Sequence, residues 1–272
     1  MRILILGASG FIGNTLYKEF CSYFDTYGTY FTNKSYAENG HFYPFDFEKE
    51  GIESLIKSIR PTHIISCVRG NFEAQIALHE ELAVYASSSR CKIIFLSSAN
   101  VFDAFTNYPS YEYDKTLSES IYGRLKIKIE NILLKLPESQ YIVARLPMVF
   151  GHASPRIKEL KKHLDQKEPY EIFPNLVMNT TTANKLAQQI HYIINRKKKG
   201  IYHLGSYDLI HHDEFIRELA KKLKHKEPLF KNVYTSNFDR FLAVLPKDNL
   251  LPKNLRITCQ EVINESTELY SD

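Results

Sequence analysis

A glycine-spaced turn close to the first residue constrains the fold of this chain more than any other segment. An apolar run, Arg2 to Leu6, is followed by GASGFIG and then by NTLYKEF at helical spacing. A strand, a glycine turn and a helix in succession are typical of a dinucleotide site, where the backbone approaches a pyrophosphate at the helix N-terminus. The spacing is G-x-x-G-x-x-G, and Asn14 stands where a P-loop needs lysine, which excludes a P-loop. The predicted cofactor contacts here are Gly7, Ser9, Gly10, Phe11, Ile12 and Gly13.

The end of the second predicted strand, Tyr27 to Phe31, indicates which cofactor binds. A site for NAD usually places an acid about 20 residues past the glycines, where it holds the ribose 2′-hydroxyl. Counting from Gly13 reaches Asn33 with Lys34 beside it, and the next acid along the chain is Glu38. The missing carboxylate and the nearby cation favour a 2′-phosphate, and hence NADP(H) over NAD(H). A solvated Lys34 is the alternative.

Strands and helices then alternate along the chain. The pattern predicts a helix over 52–58, a strand over 62–67, a helix over 72–87 and a strand over 92–96. Such alternation predicts an α/β fold with a Rossmann-type, doubly wound parallel sheet, in which chemistry gathers at the carboxyl ends of the strands. We therefore expect Cys67, Val68 and Arg69 at the cofactor crevice. Arg69 is equally compatible with a phosphate contact and with an ordinary surface cation.

A helix predicted over Ser120 to Leu136 carries a candidate acid. Tyr122 and Lys126 are four residues apart and therefore lie on the same helix face. An ammonium beside a phenol favours the phenolate and lowers the tyrosine pKa towards working pH. The apolar residues of this helix recur at three- and four-residue steps and predict a core-facing stripe of Ile121, Leu125, Ile129, Ile132, Leu133 and Leu136.

The Tyr-x-x-x-Lys spacing occurs three times, so its context decides its meaning. Tyr30/Lys34 falls at the end of a strand, where four residues span roughly 13 Å. Tyr111/Lys115 falls in the polar stretch NYPSYEYDKT, which is typical of a loop. Only Tyr122/Lys126 lies on a predicted helix.

The segment FLSSANVFD ends a predicted strand with two hydroxyl groups. Ser98 either hydrogen-bonds at the strand end or, together with Tyr122 and Lys126, polarises a carbonyl group beside a proton donor. The chain has no evident Ser–His–Asp arrangement and no G-x-S-x-G elbow, so the motifs expected of a hydrolase are missing.

Composition excludes several other classes. Of the 272 residues 44% are hydrophobic, enough for a substantial core, yet the longest apolar run near the start, Ile3 to Leu6, is too short for a signal peptide or a membrane span. We expect a soluble, cytoplasmic protein with no membrane partner. The four scattered cysteines support neither zinc nor disulfides, and no metal site is predicted. The net charge of +4 is dispersed, and the run Arg196 to Lys199 suits a helix C-terminus better than a nucleic-acid surface.

Five motifs in register carry a family resemblance. The set GASGFIG, FLSSANVFD, YEYD, YGRLK and ARLPMVFG resembles the extended short-chain dehydrogenase/reductases, and more narrowly the dTDP-4-dehydrorhamnose reductase branch, which acts on nucleotide sugars. Later segments, MNTTTANKLAQQI, GIYHLGS and HHDEFIRELAKKL, extend the resemblance over nearly the whole chain. The resemblance implies that Tyr122, Lys126 and Ser98 are catalytic and that Asp46 meets the adenine. The predicted substrate contacts are Ser98, Asn100, Val101 and Met148.

The chain also departs from that family. SCVRGNFEAQ replaces the usual Ala-rich segment, so one wall of the site differs from the family pattern. Ala99 and Asn100 follow Ser98, where dehydratases carry paired acids and rhamnose-type reductases carry an acid and an aromatic residue. Loss of water needs a further acid and base, so a dehydratase is disfavoured, and the identity of the sugar stays open.

The second half of the chain predicts a smaller C-terminal substrate lobe. We expect 1–150 to form the nucleotide domain, 176–204 to return to it, and 151–175 with 205–272 to form the lobe. The predicted elements there are a helix over Ser154–Gln166, an irregular lid-like stretch over Pro169–Pro174, a helix capped by Thr181 or Thr182 and running to Arg196, a strand over Ile201–Leu204, a helix capped by His211–Asp213 and ending near Lys224, and a last helix over Cys259–Leu269.

These observations together predict an NADP-dependent reductase of a keto group on a nucleotide-activated sugar. One alternative is an epimerase that uses the same three residues with a retained NAD. Another is a cofactor-binding regulatory subunit without catalysis, because this branch also resembles a regulatory partner of a methyl-donor synthetase. The family resemblance also implies a homodimer. Neither the nucleotide nor the stereochemistry follows from the sequence.

Overall fold

A seven-stranded parallel sheet forms the centre of the molecule, in the strand order β11-β6-β5-β4-β1-β2-β3. The computed structural model describes residues 1–224 and 228–268. The strands are β1 Arg2–Leu6, β2 Asp25–Tyr30, β3 Phe42–Pro44, β4 His63–Ser66, β5 Lys92–Ser98, β6 Tyr141–Leu146, β7 Met148–Phe150, β8 Tyr170–Ile172, β9 Leu176–Met178, β10 Thr180–Thr182, β11 Gly200–His203, β12 Ile210–His211, β13 Phe230–Asn232 and β14 Arg240–Leu242. The predicted α/β fold with a parallel sheet is confirmed.

Helices cover both faces of this sheet. They are α1 Phe11–Phe20, α2 Glu53–Ile59, α3 Phe72–Ser88, α4 Ile121–Leu133, α5 Pro155–Gln166, α6 Ala183–Asn195, α7 His212–Lys222 and α8 Cys259–Thr267. In β1, Leu4 and Leu6 face a core shared with α2, α3 and α4. Ile3 and Ile5 face a second core shared with α1 and α6. Because strand side chains alternate between faces, a continuous apolar run is what a strand buried on both sides requires.

A smaller lobe packs around a third core, formed mainly by α5, α7 and α8. Two small sheets belong to it, with the strand orders β12-β9-β14 and β13-β8. The segment 176–204 is split between the two parts. Strand β9 pairs with lobe strands, whereas α6 packs in the central core and β11 pairs with β6.

Helix α4 begins with a side-chain cap, because the Ser120 hydroxyl accepts a hydrogen bond from the Gly123 amide at 3.0 Å. Two details of the prediction for this helix were wrong. Ile121 is 66% exposed. It is the first residue of α4, and the buried residues of this helix begin only at Gly123. The helix also ends at Leu133, so Leu136 packs against the core from the turn that follows.

Other predicted elements of the lobe also need correction. The stretch 169–174, predicted to be irregular, contains β8, which pairs in parallel with β13. His211 occupies the N-cap of α7 but makes no side-chain capping bond. Thr182 does cap α6 by accepting from the Lys185 amide, and Arg196 follows the last helical residue as predicted. The last helix ends at Thr267, and the predicted final residue, Leu269, lies outside the described residues.

Within residues 1–224 and 228–268, no helix is long and apolar enough to cross a membrane.

Candidate active site

The glycine turn after β1 forms one wall of the candidate site. Gly7 adopts a φ of +77°, in the left-handed region that favours glycine. A Cβ atom on Gly13 would lie 2.2 Å from the Gly7 carbonyl oxygen, so only glycine fits where α1 starts. Gly10 caps α1 without any side-chain hydrogen bond, which leaves backbone amides at the helix N-terminus available to an anion. These residues fit the pyrophosphate of a dinucleotide.

Ser98 and Tyr122 meet where β5 ends and α4 begins. Ser98 is the last residue of β5, and its hydroxyl donates to the Asn100 side chain at 2.9 Å. The same hydroxyl group lies close enough to the phenol of Tyr122 to make a lowering contribution to its pKa. Tyr122 is the second residue of α4 and is 40% exposed, so the phenol can be reached from the cleft.

Lys126 lies one turn further along α4 and is only 6% exposed. Its Nζ atom donates to the Leu96 carbonyl oxygen at 3.0 Å. It lies 4.6 Å from the centre of the Phe95 ring and 5.5 Å from the centre of the Tyr122 ring. Burial lowers the pKa of this ammonium to about 8. Lys126 is therefore mostly charged at neutral pH and titrates above it.

The pKa of Tyr122 differs from the prediction, because it is raised rather than lowered. Burial of the phenol is the largest cause, since a phenolate loses more hydration energy than a phenol. Arg69, Ser98 and Arg156 act in the opposite direction without cancelling it. The predicted cause, the Lys126 ammonium, lies over the ring instead. Tyr122 is thus a protonated group at neutral pH, which suits a proton donor.

A single cleft of about 560 Å³ joins the glycine turn, the Ser98–Tyr122–Lys126 set and one helix of the lobe. Predicted site residues that line it are Gly7, Gly10, Phe11, Ile12, Gly13, Cys67, Arg69, Ser98, Asn100, Tyr122, Lys126 and Met148. Ten further lining residues were not predicted, and the four that come from the lobe are Pro155, Arg156, Glu159 and Leu242. They come from α5 and β14, and no local pattern indicates that these elements face the glycine turn.

Several predicted contacts lie elsewhere. Val101, predicted to contact substrate, is instead fully buried against Ala99, Phe102 and Val244. The turn that follows β5 directs its side chain into the protein, so the prediction for Val101 is not supported by its position.

The other residues outside the cleft lie near the ends of β1 to β4. Asn33 accepts hydrogen bonds from the amide and hydroxyl of Ser35 and caps a short turn that contains the exposed Lys34. Asp46 pairs with Lys49 at 3.0 Å. Ser9 and Val68 do not line the cleft either, and Val68 packs partly against the core.

A buried ion pair supports helix α4 from behind. Glu130, one turn beyond Lys126, accepts from the Ser97 hydroxyl at 2.5 Å and from Arg145 Nη2 at 2.8 Å. Arg145 also donates to the Glu112 carbonyl oxygen at 2.8 Å. Both charged side chains are almost fully buried. The pair therefore ties α4 to β5 and β6 directly beneath the site.

The YEYD motif holds two loops together outside the cleft. The Glu112 carboxylate is fully buried and accepts hydrogen bonds from the backbone amides of residues 247–249. It thereby fastens a loop that follows β14 to the loop that precedes α4. Sequence reasoning did not assign this role, because the partner amides are 135 to 137 residues away.

Across residues 1–224 and 228–268, no group of three or more His, Cys, Asp or Glu side chains is placed to hold a metal ion.

Comparison with known proteins agrees with this geometry. The family model described as the RmlD substrate binding domain matches residues 1–252. The methionine adenosyltransferase 2 subunit beta of Mus musculus is 29% identical over 160 residues, which cover 55% of this chain and 47% of that protein. A dTDP-4-keto-6-deoxy-D-glucose reductase of Streptomyces niveus is 24% identical over 169 residues, covering 57% of this chain and 59% of the relative. The chain thus spans about half the length of the curated relatives it matches.

Solved structures share the fold over almost the whole chain. The dTDP-4-dehydrorhamnose reductase of Bacillus anthracis in complex with NADP aligns with a TM-score of 0.76 and 19% identity, covering 97% of each chain. The UDP-glucose 4-epimerase of Thermus thermophilus in complex with NAD aligns with a TM-score of 0.79 and 17% identity, covering 98% of each chain. The chain belongs to the RmlD substrate-binding-domain family.

Proposed function

From membership of that family, we propose that the protein is an NADP(H)-dependent reductase of a keto group on a nucleotide-activated sugar. The observation that carries this proposal is the meeting of Ser98, Tyr122 and Lys126 in a cleft whose other wall is the glycine turn. A phenol, a hydroxyl and an ammonium around one point suit the transfer of a proton to a carbonyl oxygen.

The proposed roles follow from the contacts of each residue. A bound NADPH supplies a hydride for the carbonyl carbon. The Ser98 hydroxyl, which lines the cleft beside the phenol, donates to the carbonyl oxygen. Tyr122 delivers the proton, and its raised pKa keeps that proton on the phenol at neutral pH. Lys126, held by the Leu96 carbonyl, provides a positive charge beside the phenol and a donor for the nicotinamide ribose.

The preference for NADP(H) rests on the end of β2. Lys34 is exposed there in a short turn capped by Asn33, and no carboxylate lies between Gly13 and Glu38 in the sequence except Glu19 and Asp25. Glu19 faces His191 and Asp25 pairs with Arg2, so neither is available to a ribose 2′-hydroxyl. An accessible cation without a competing acid suits a 2′-phosphate.

The proposed division of labour assigns the cofactor to 1–150 and the sugar to the lobe of 151–175 and 205–272. Arg156, Glu159 and Leu242 support this division, because they reach the cleft from lobe elements. The homodimer and the cytoplasmic location stay predictions. Analytical ultracentrifugation would test the first, and cell fractionation would test the second.

The direct experiment follows NADPH absorbance in the presence of dTDP- and UDP-linked 4-keto sugars. We expect oxidation with at least one sugar, and the active sugar then names the substrate. A nucleoside-diphosphate sugar without a keto group is the control. Absence of oxidation with every sugar, despite bound NADPH, would reject the reductase.

A regulatory subunit without catalysis is the second candidate, because a subunit named beta of a methionine adenosyltransferase is 29% identical over part of the chain. The complete Ser98–Tyr122–Lys126 set favours catalysis, since a binding module has no need of a buried ammonium beside a phenol. An epimerase would retain NAD through purification. Analysis of the cofactor released from the purified protein separates that case from a reductase.

A further inference from the structure

Two arginine side chains of the cleft have no function in the mechanism above. Arg69 follows β4, and Arg156 is the second residue of α5, so they reach the cleft from the central sheet and from the lobe. Neither forms a hydrogen bond or an ion pair with another residue among 1–224 and 228–268. A guanidinium group carries five donors in a fixed plane, and it is suited to bind carboxylate or phosphate groups at two points.

Both arginines line the cleft that Tyr122 also lines. Each lies near enough to Tyr122 to lower the pKa of its phenol. Burial lowers the pKa of His212 and raises the pKa of Tyr170, both in the lobe, and the charge of Arg156 makes a smaller, lowering contribution to each. Arg156 therefore lies at the start of a lobe helix and lines the same cleft as the phenol.

The lobe side chains around Arg156 do not neutralise it. His212 is buried, and its Nδ1 atom accepts a hydrogen bond from the Phe173 amide at 3.3 Å. Burial lowers its pKa to about 4, so the imidazole is uncharged at neutral pH. Glu159 is the one carboxylate among the described cleft residues, three positions further along α5. It makes no ion pair with Arg156, and its charge acts on Tyr170. Three cations, Arg69, Lys126 and Arg156, thus face one carboxylate in the cleft.

Lys126 is already engaged by the Leu96 carbonyl. The two arginines are therefore the cationic groups of the cleft that are available to a ligand. We propose that Arg156, together with Arg69, forms an oxyanion subsite beside Tyr122 that takes a phosphoryl or carboxylate group of the substrate. This inference rests on the proposed function, and it adds that the substrate is anionic close to its reacting carbonyl. The phosphoryl group would come from the nucleotide, and the carboxylate from an acidic sugar.

The test measures binding without turnover, so that it does not depend on the reductase activity. Calorimetry of the full chain with bound NADPH would compare uridine, UDP, UDP-glucose and UDP-glucuronate, with a parallel thymidine series. The variants are Arg156→Gln and, as the matched control, Lys158→Gln. Lys158 lies on the same helix, is exposed and does not line the cleft.

We expect Arg156→Gln to weaken binding of the anionic ligand by about 10- to 100-fold, the usual effect of losing a charge-assisted, two-point contact. An equal loss for UDP, UDP-glucose and UDP-glucuronate would identify a phosphoryl group. A loss confined to UDP-glucuronate would identify a sugar carboxylate. Uridine should bind both variants alike.

Two outcomes would overturn the subsite. One is equal affinity of Arg156→Gln and Lys158→Gln for every anionic probe. The other is a wild-type protein that binds no anionic probe of either series. Failure of the reductase proposal is distinguishable, because it leaves NADPH unoxidised while the difference in affinity between the two variants persists.

Discussion

The buried Glu130–Arg145 pair offers a stability prediction whose size follows from its surroundings. Glu130 is 1% exposed and Arg145 is 2% exposed. Glu130→Gln keeps the shape of the side chain but removes the charge that faces the guanidinium group. Arg145 then keeps only neutral partners, which are the glutamine oxygen, the Glu112 carbonyl at 2.8 Å, the His203 ring at 3.5 Å and the Phe102 ring.

An uncompensated buried charge of this kind costs roughly 3–5 kcal/mol of the free energy of unfolding. For a chain of this size, roughly 2–4 °C of melting temperature is lost per kcal/mol, so we expect a decrease of roughly 6–20 °C. Circular dichroism during heating and in urea gives both quantities. The control is Glu53→Gln, which breaks a pair with Lys57 that is exposed on both sides and should hardly change the melting temperature.

The reasoning also predicts the double variant. Arg145→Met alone leaves the Glu130 carboxylate uncompensated, whereas Glu130→Gln with Arg145→Met removes both charges. The double variant should therefore lose less stability than the sum of the two single losses. A Glu130→Gln variant as stable as Glu53→Gln, or strictly additive losses, would refute the account of this pair.

Three further predictions concern the cofactor and the proton donor. Gly13→Ala places a Cβ atom against the Gly7 carbonyl oxygen and should abolish NADPH binding in calorimetry, whereas Gly40→Ala, where a Cβ atom meets nothing within 4 Å, should not. Turnover should fall as pH rises through about 8, because the lowered pKa of Lys126 removes its charge there, while the raised pKa of Tyr122 keeps the phenol protonated. Lys34→Gln should raise KM for NADPH and leave KM for NADH unchanged, because only NADPH carries the 2′-phosphate.

Each of these predictions has a contradicting result. Tight NADPH binding by Gly13→Ala would remove the glycine turn from the cofactor site. A pH profile that is flat between about pH 7 and 9 would show that the charge of Lys126 is not needed. Equal changes in KM for both cofactors would assign Lys34 to the solvated surface.

The sequence predicts most of the central sheet because the signals there are local. The apolar run of β1, the glycine spacing and the helix that carries Tyr122 and Lys126 are each readable within about 20 residues. The position of Ser98 at the edge where the strands end follows too, because parallel strands direct their carboxyl ends to one edge, whereas its role beside Tyr122 is implied by the family resemblance.

The sequence does not predict what depends on distant contacts. Arg156 and Glu159 reach the cleft only because the lobe folds back over the sheet. The raised pKa of Tyr122 depends on burial by several elements. The four-residue spacing of Tyr122 and Lys126 indicates only a nearby positive charge, and burial outweighs the effect of the charges around the phenol. The prediction that Ile121 faces the core was wrong, and the burial of Val101 was not foreseen, since the first turn of a helix and the turn at a strand end decide which way a side chain faces.

The most direct test of the proposed reductase compares Tyr122→Phe with the wild-type protein under single-turnover conditions, with NADPH bound and an active keto sugar added. The account predicts that NADPH affinity stays nearly unchanged while the rate of NADPH oxidation falls by ~10²-fold or more, because the proton donor is gone. Equal rates in the two proteins would contradict the assignment of Tyr122 as the proton donor and, with it, the proposed mechanism.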